Sequence, residues 1–210
     1  TGRIQQAVRL RNRVVSQTNA YRLIYGESDR LPGLIVDQYD RTLVMQTLSY
    51  GMDRRKESLA DVLVRETGAN AVYLRNDAKS RQLEGLPVER GFLRGGGPMR
   101  VEIQEASARF IVDIERGQKT GWFCDQRENR LALTRLTPGL RVLDACAAPG
   151  GKACHVLEAT PGLAGLVAVE IDPVRAGRIR DNLSRLGLEA QVVVGDAARP
   201  ADWWDGRPFD

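Results

Sequence analysis

The chain has 210 residues, 42% of them hydrophobic and 28% charged, with a formal net charge of +4 and a pI near 9.2. That length holds one large or two small domains with a buried core, and the composition excludes a disordered or fibrous chain. No apolar run approaches the roughly 20 residues of a membrane span and no secretory leader opens the chain, so a cytoplasmic address is expected.

From Arg3 to Val15 the apolar residues Ile4, Ala7, Val8, Val14 and Val15 recur at helical spacing, which predicts an opening helix. No acid precedes Glu27, while Arg3, Arg9, Arg11, Arg13 and Arg22 all do. A basic end of this kind suits a polyanion such as RNA, because each neutralised phosphate releases counterions; the alternative is a solvated helix face. Strand-like runs follow at Arg22–Tyr25, Leu34–Asp37 and Leu43–Leu48, separated by turn signals, and predict an antiparallel meander. Asp53 is placed to cap a helix running to Thr67, with Leu59, Val62 and Leu63 on its inner face and Gly68 stopping it. With a further strand at Ala71–Leu74, these elements predict a small α+β domain over residues 1–98, ending after the Gly95-Gly96-Gly97 run, itself a hinge or a loop tip.

A connecting segment over 99–140 is expected next. It holds a hairpin, Val101–Ile103 with Phe110–Ile114, and the stretch GQKTGWFCDQRENR, Gly117–Arg130, which looks too polar to be core. Asp125 is placed to cap a helix through Leu131, Leu133 and Leu136 that Thr137-Pro138-Gly139 breaks. From Arg141 the pattern alternates: strands at Val142–Asp144, Leu166–Glu170 and Gln191–Val194, helices at Gly151–Ala159 and Pro173–Leu186. Such a βαβαβ order over 141–210 implies a parallel sheet with right-handed crossovers.

Val142–Lys152, VLDACAAPGGK, is the stretch that points to a ligand: a short strand ending in an acid, a turn of small residues, then two glycines opening a helix. Ligands of doubly wound folds sit outside the carboxyl ends of strands, against such turns and the helix N–H groups. The phosphate loop G-x-x-x-x-G-K-[ST] fails here, since Cys146 stands where its first Gly belongs and Ala153 follows Lys152. The dinucleotide fingerprint fails too. What remains is the turn of an S-adenosylmethionine pocket, with Asp144 to hold the ligand's amino group, or else a purely structural strand-to-helix turn. Glu170 and Asp196 end the next two strands, where a ribose and an adenine edge would be held. Singly each is as good a capping acid as a ligand; the recurrence of three favours a pocket. Asp172 is better placed to cap the helix at Pro173, and Arg175 either lines the pocket or sits on a solvated helix face.

These residues carry a resemblance. NAYRLIYGESDRLPGLIVDQYD, EGLPVERGF and above all GQKTGWFCDQRENR, within residues 3–130, resemble the large-subunit ribosomal RNA 5-methylcytosine methyltransferases. LDACAAPGGK, VAVEIDPVR, DNLSRLG and GDAARP, within 141–210, resemble the small-subunit ribosomal RNA 5-methylcytosine methyltransferases of the Sun type, so the chain looks mosaic. The resemblance implies an α+β RNA-facing domain followed by an α/β one, an incomplete Rossmann-like class I S-adenosylmethionine-dependent methyltransferase domain. It also implies that Asp144, Ala147, Pro149, Gly150, Gly151 and Lys152 form the cofactor loop, and that Glu170 holds the ribose and Asp196 the adenine. Gln118, Lys119, Thr120 and Asp125 would close the pocket from the other side, with Phe123 packing there or in the core.

Two departures are noted. Nothing before Arg3 can be the small RNA-binding domain of the PUA type that begins the first family. The sequence also stops at Arg207-Pro208-Phe209-Asp210, where a fourth strand and the catalytic loop are expected. Methylation at cytosine carbon 5 needs a cysteine thiolate attacking carbon 6. In both families that cysteine lies further along, so Cys146 is a cofactor-loop residue, Cys124 and Cys154 are packed thiols, and no catalytic residue is assigned. Three cysteines without paired spacing and one histidine give no expected metal site or disulfide framework. The truncation would leave Val142–Asp144 as a bare sheet edge, which predicts a homodimer through that edge or its cover by the N-terminal domain. The competing function is an RNA-binding or structural module without turnover. A small-molecule methyltransferase is disfavoured by the basic start of the chain.

Overall fold

In the computed structural model, which describes residues 1–210, the arginine-rich start of the chain is helix α1 (Gly2–Val14). Ile4, Ala7 and Val8 form its buried stripe, the i, i+3, i+4 spacing that puts side chains on one face. Strands β1 (Ala20–Tyr25), β2 (Leu34–Tyr39) and β3 (Thr42–Thr47) make the expected antiparallel meander. A short helix, α2 (Tyr50–Asp53), and α3 (Lys56–Thr67) then lead to β4 (Ala71–Asn76), which runs parallel to β3, and β5 (Glu89–Arg94) closes the sheet in the order β1-β2-β3-β4-β5. A parallel pair requires such a crossover.

Alternation along the strands sorts the side chains of this sheet. Leu43, Met45, Val72 and Leu74 join Ile4 and Leu63 of the helices in one core. Val44 and Tyr73 join Ile103, Phe110 and Val112 in a second, under the hairpin β6 (Arg100–Glu105) and β7 (Ala108–Asp113). The hairpin therefore belongs to the first compact unit, Thr1–Asp125, and the division falls after Asp125 instead of near Pro98 or at residue 140. The glycine run is a loop between β5 and β6. At Gly95, φ is +60° and a Cβ would stand 2.0 Å from the Asn70 carbonyl oxygen, so the chain needs glycine there.

Two capping assignments are corrected. Asp53 ends α2 and does not cap α3; its carboxylate accepts from the Thr47 hydroxyl, Asn76 and Arg81. Asp125 holds Lys119 Nζ with both oxygens at 2.8 Å, and Gln126 stands before α4 (Arg127–Leu136). The stretch from Gly117 is also less exposed than its polarity suggests. Thr120 is fully buried, Trp122 and Cys124 pack against the second core, and Gly121 lies so close to Val112 that a Cβ would meet it at 2.6 Å.

The second unit, Gln126–Asp210, is the βαβαβ element. β8 (Arg141–Asp144), α5 (Gly151–Ala159), β9 (Gly165–Glu170), α6 (Pro173–Leu186) and β10 (Gln191–Val194) form a parallel sheet in the order β10-β9-β8. Ala153, Val156, Leu166, Ala168, Ile179 and Leu183 pack together between the sheet and helices α5 and α6. Each large aliphatic there contributes about 1.5–3 kcal/mol by leaving water. Asp172 caps α6 through the Val174 and Arg175 N–H groups at 2.8 and 3.0 Å, and Gly187 ends it at φ +64°. β8 is an edge strand, yet not bare at its start: Asp210 N–H donates to the Arg141 carbonyl at 3.1 Å and its carboxylate accepts from Arg141 N–H at 2.8 Å. No helix is long and apolar enough to cross a membrane.

Candidate cofactor-binding site

Three parallel strands ending at Asp144, Glu170 and Val194 bring the acids Asp144, Glu170 and Asp196 to one end of the second unit's sheet. The turn after β8 is built from small residues because it folds back on β9: Ala147 is buried, its N–H donates to the Val169 carbonyl at 3.1 Å, and its own carbonyl accepts from Gly150 N–H at 2.6 Å. The Ala148-Pro149 peptide is cis, and Asn182 of α6 holds the Pro149 carbonyl at 2.9 Å. Gly150 has φ +101°, a conformation that a side chain would strain, and starts α5 without a side-chain cap. The first turn of α5 carries no acid, and Lys152 is exposed.

Asp144 is half-buried, but its Oδ2 is shielded from solvent and has no hydrogen-bond partner. Burial pushes the carboxyl up; the Lys152 charge and the N–H groups of Cys146 and Ala153 oppose that, and the Glu170 charge adds to it. A buried acceptor left unpaired costs about 1–3 kcal/mol, so it implies a donor that the chain does not supply. The amino group of S-adenosylmethionine is such a donor, and the glycine turn and uncapped helix start leave bare backbone beside it. The site fits that group.

Glu170 is buried and ties the two neighbouring turns together: Oε2 accepts from Ala148 N–H at 3.3 Å and Oε1 from Asp172 N–H at 3.2 Å. Arg175, exposed on α6, stands 3.5 Å from the same carboxylate. Asp196 is half-buried, accepts from Ala198 N–H at 2.9 Å, and has Arg199 at 3.8 Å. Gly195 N–H donates to the Glu170 carbonyl at 3.1 Å, which links the loops of the second and third acids. Ile171 and Val174, 65% and 72% exposed, present apolar surface between them. Sequence reading did not single out Ile171; an isoleucine directly after a strand-ending acid, where no core face remains, was the available signal.

Gln118, Lys119, Thr120 and Asp125 lie in the first unit. Thr120 is committed to its interior: its hydroxyl donates to Asp37 and accepts from Tyr39 at 2.7 Å. Lys119, at φ +55°, pairs with Asp125 and lies over the Phe123 ring at 4.6 Å. Neither packed cysteine suits nucleophilic work, since burial pushes the Cys124 thiol up and that of Cys154 to about 11. An open depression of about 780 Å³, lined by Arg141, Leu183, Leu188, Gln191 and Asp205 among others, holds none of the predicted site residues.

The family model for the 16S rRNA methyltransferase RsmB/F matches residues 132–210. Ribosomal RNA large subunit methyltransferase I of Shewanella amazonensis is 37% identical over 175 residues, 83% of this chain and 44% of the relative. The Escherichia coli SMS-3-5 protein of that name is 35% identical over 93% of this chain and 50% of its own. Ribosomal RNA small subunit methyltransferase B of Pseudomonas syringae pv. tomato is 53% identical over 96 residues, 44% of this chain and 21% of that one. The chain thus spans half or less of these relatives' length. Similarity to the large-subunit proteins covers too much of the chain to stop at residue 130, so the two likenesses overlap in the second unit. Among solved structures, a candidate SAM-dependent methyltransferase from Streptococcus mutans matches with a TM-score of 0.77 at 19% identity, over 96% of this chain and 53% of that one. The SAM-dependent methyltransferase from Agrobacterium tumefaciens matches at 0.59 and 17%, over 93% and 58%. The chain is therefore similar at once to the large-subunit methyltransferase I proteins and, over residues 132–210, to the RsmB/F family, on the Rossmann-like fold of class I SAM-dependent methyltransferases.

Proposed function

We propose that the second unit is the cofactor-binding part of an S-adenosylmethionine-dependent ribosomal RNA methyltransferase, acting in the whole protein on cytosine carbon 5. The observation that carries this reading is Asp144 Oδ2, buried and without a partner beside the Gly150 turn. Asp144 takes the amino group; Ala147, Pro149, Gly150, Gly151 and Lys152 shape the turn around the methionine end. Glu170 takes the ribose hydroxyls, with Arg175 beside its carboxylate. Asp196 takes the adenine edge, and Ile171 offers an apolar face to the ring. When bound, the cofactor supplies an electrophilic methyl group. Within the first unit, Thr120 braces its own loop against Asp37 and Tyr39.

RNA is the proposed acceptor. Of the arginines at the start of the chain, Arg11 and Arg22 are spent on Asp29 and Asp37. Arg3, Arg9 and Arg13 are exposed and remain to meet phosphates. A target base would have to leave its stack to reach the methyl group. A second copy would pair with the β8 edge beyond Arg141, where Asp210 does not cover the strand.

Calorimetric titration of the 210-residue chain with S-adenosylhomocysteine tests the pocket. Binding is expected, weakened roughly 10-fold or more in Asp144→Ala and in Glu170→Ala, since each loses a hydrogen bond to or from a charged group. No binding by the wild-type chain, or equal binding by all three proteins, overturns it.

A further inference from the structure

The loop after β10 doubles back on itself. Arg199 N–H donates to the Asp196 carbonyl at 2.9 Å, a 3-10 turn covers Pro200–Asp202, and the N–H groups of Trp203 and Trp204 donate to the Pro200 carbonyl at 3.2 and 2.8 Å. The reversal lays Trp203 on the start of its own loop. Its indole Nε1–H donates to the Asp196 carbonyl at 2.9 Å, so that oxygen accepts twice. Its ring packs on Gly195, where an added Cβ would stand 3.3 Å from Trp203 Cδ1 and 3.7 Å from Trp203 Cβ and Cγ. Gly195 N–H is in turn bonded to the Glu170 carbonyl at 3.1 Å. Trp204 does nothing comparable: it is 44% exposed, and its Nε1–H donates to the Arg207 carbonyl.

From this geometry we propose that Trp203 is a positioning residue for the adenine side of the cofactor site. The inference rests on the cofactor reading above. Trp203 touches no ligand itself. It fixes the peptide plane between Asp196 and Ala197 by holding the carbonyl, and it fixes the position of Gly195 by contact. The Asp196 carboxylate hangs from that plane, and binding groups must be held to within about 0.5 Å by the shell behind them. Trp203 also explains why position 195 is a glycine although no positive φ demands one there: a side chain would displace the indole.

Titration of the full 210-residue chain with S-adenosylhomocysteine and with adenosine separates this role from general loosening. Trp203→Phe keeps a ring on Gly195 and loses the N–H; it should weaken both ligands by the same factor, roughly 5- to 10-fold, the worth of one partly buried hydrogen bond. Asp144→Ala should weaken S-adenosylhomocysteine and leave adenosine unchanged, because Asp144 meets the amino end. Gly195→Ala, which keeps the indole but pushes it, should reproduce the Trp203→Phe pattern, and the two changes combined should add little, as expected of sites sharing one contact. Trp204→Phe should bind both ligands as wild type does.

Unchanged adenosine affinity in both Trp203→Phe and Gly195→Ala overturns the proposal, as does a loss confined to S-adenosylhomocysteine. If the wild-type chain binds neither ligand, or Asp196→Ala binds both as tightly as wild type, the cofactor reading fails and takes this one with it. Loss of affinity in Asp196→Ala without loss in Trp203→Phe sinks the positioning role alone.

Discussion

The two units treat their buried acids in opposite ways. In the first unit, Asp37 is fully buried, and both its oxygens are taken by Arg22 at 2.8 and 2.9 Å with the Thr120 hydroxyl added. Asp53 meets Thr47, Asn76 and Arg81, and Asp77 meets Arg75 and Arg90. In the second unit, the acids at the strand ends are held mainly by backbone N–H groups, and one Asp144 oxygen has no partner at all. A carboxylate matched by a guanidinium has little capacity left for a ligand. One held on one side only keeps acceptors for donors that arrive from outside. Completeness of pairing, more than burial or charge, separates the structural acids from the candidate site.

The sharpest way to break that contrast is to remove a partner in the first unit. Arg81 is 1% exposed and donates to the Thr47 carbonyl, to the Pro87 carbonyl at 2.9 Å, and to Asp53 at 3.0 Å. Arg81→Met takes the guanidinium from Asp53, which keeps only Thr47, Asn76 and the more distant Lys56, and removes a donor from two carbonyls; it should cost about 3–5 kcal/mol, the usual loss on breaking a buried pair. Urea unfolding followed by Trp122, in a Trp203→Phe/Trp204→Phe background, reads the first unit; an unshifted midpoint would show that the pairing is ornamental. Acid acts on the same cluster. Burial pushes the Asp53 carboxyl up, but the Thr47 hydroxyl and the Arg81 guanidinium outweigh it and hold the group below the ordinary range. Because the folded pKa is depressed, this stabilisation is present above the unfolded value near 3.9 and is lost as pH falls below it.

The second unit should respond in the other direction. Asp144 has a raised folded pKa, with burial as the main cause. Its relative contribution to stability is full below the unfolded pKa and is lost as pH rises through the folded one. At neutral pH the wild-type chain therefore carries the cost of a buried, half-satisfied carboxylate. Asp144→Asn removes that charge and should raise stability at pH 7 by about 1 kcal/mol, with the gain disappearing near pH 3, while S-adenosylhomocysteine binding weakens. Thermal unfolding at the two pH values decides; an equal gain at both, or a loss at pH 7, would refute the assignment of Asp144 as a strained acid.

What the sequence disclosed follows from the same contrast. α6 and β10 were bounded correctly from sequence because their signals are local: Asp172-Pro173 starts the helix, Gly187 stops it, and Gln191–Val194 is a short run before a Gly-Asp turn. The three strand-ending acids were legible for that reason too, since one βα turn after another repeats the pattern. Asp53 was misread as a cap because its partner is far along the chain, and the ties of Thr120 within the first unit were hidden for the same reason. Arg81 is 28 residues from Asp53, and Asp37 is 83 residues from Thr120. A polar residue beside a helix looks like a cap until the fold supplies a guanidinium. The boundary after Asp125 was hidden similarly, because the hairpin's alternation shows that it buries a face but not against which sheet. Trp203 was passed over because its role is a hydrogen bond to a backbone carbonyl, which no residue pattern announces.

The smallest expected effect gives the closest comparison, between two acids two residues apart. Glu170 and Asp172 flank the same turn, and the Asp172 N–H donates to Glu170. Asp172 accepts from two N–H groups of the first turn of α6, which is what an N-cap needs and leaves it no role at the ligand. Asp172→Ala should lower stability by about 1 kcal/mol, a typical cap loss, because one side of α6 still packs through Ala176, Ile179 and Leu183. Its S-adenosylhomocysteine affinity should stay within about 2-fold of wild type, well under the tenfold that each 1.4 kcal/mol of binding energy represents. Asp172→Asn should restore the stability, since the amide oxygen still accepts from both N–H groups. If Asp172→Ala weakens binding as strongly as Glu170→Ala does, the ribose acid has been assigned to the wrong member of the pair, and the rule that a fully matched acid is structural fails where its two cases lie nearest together.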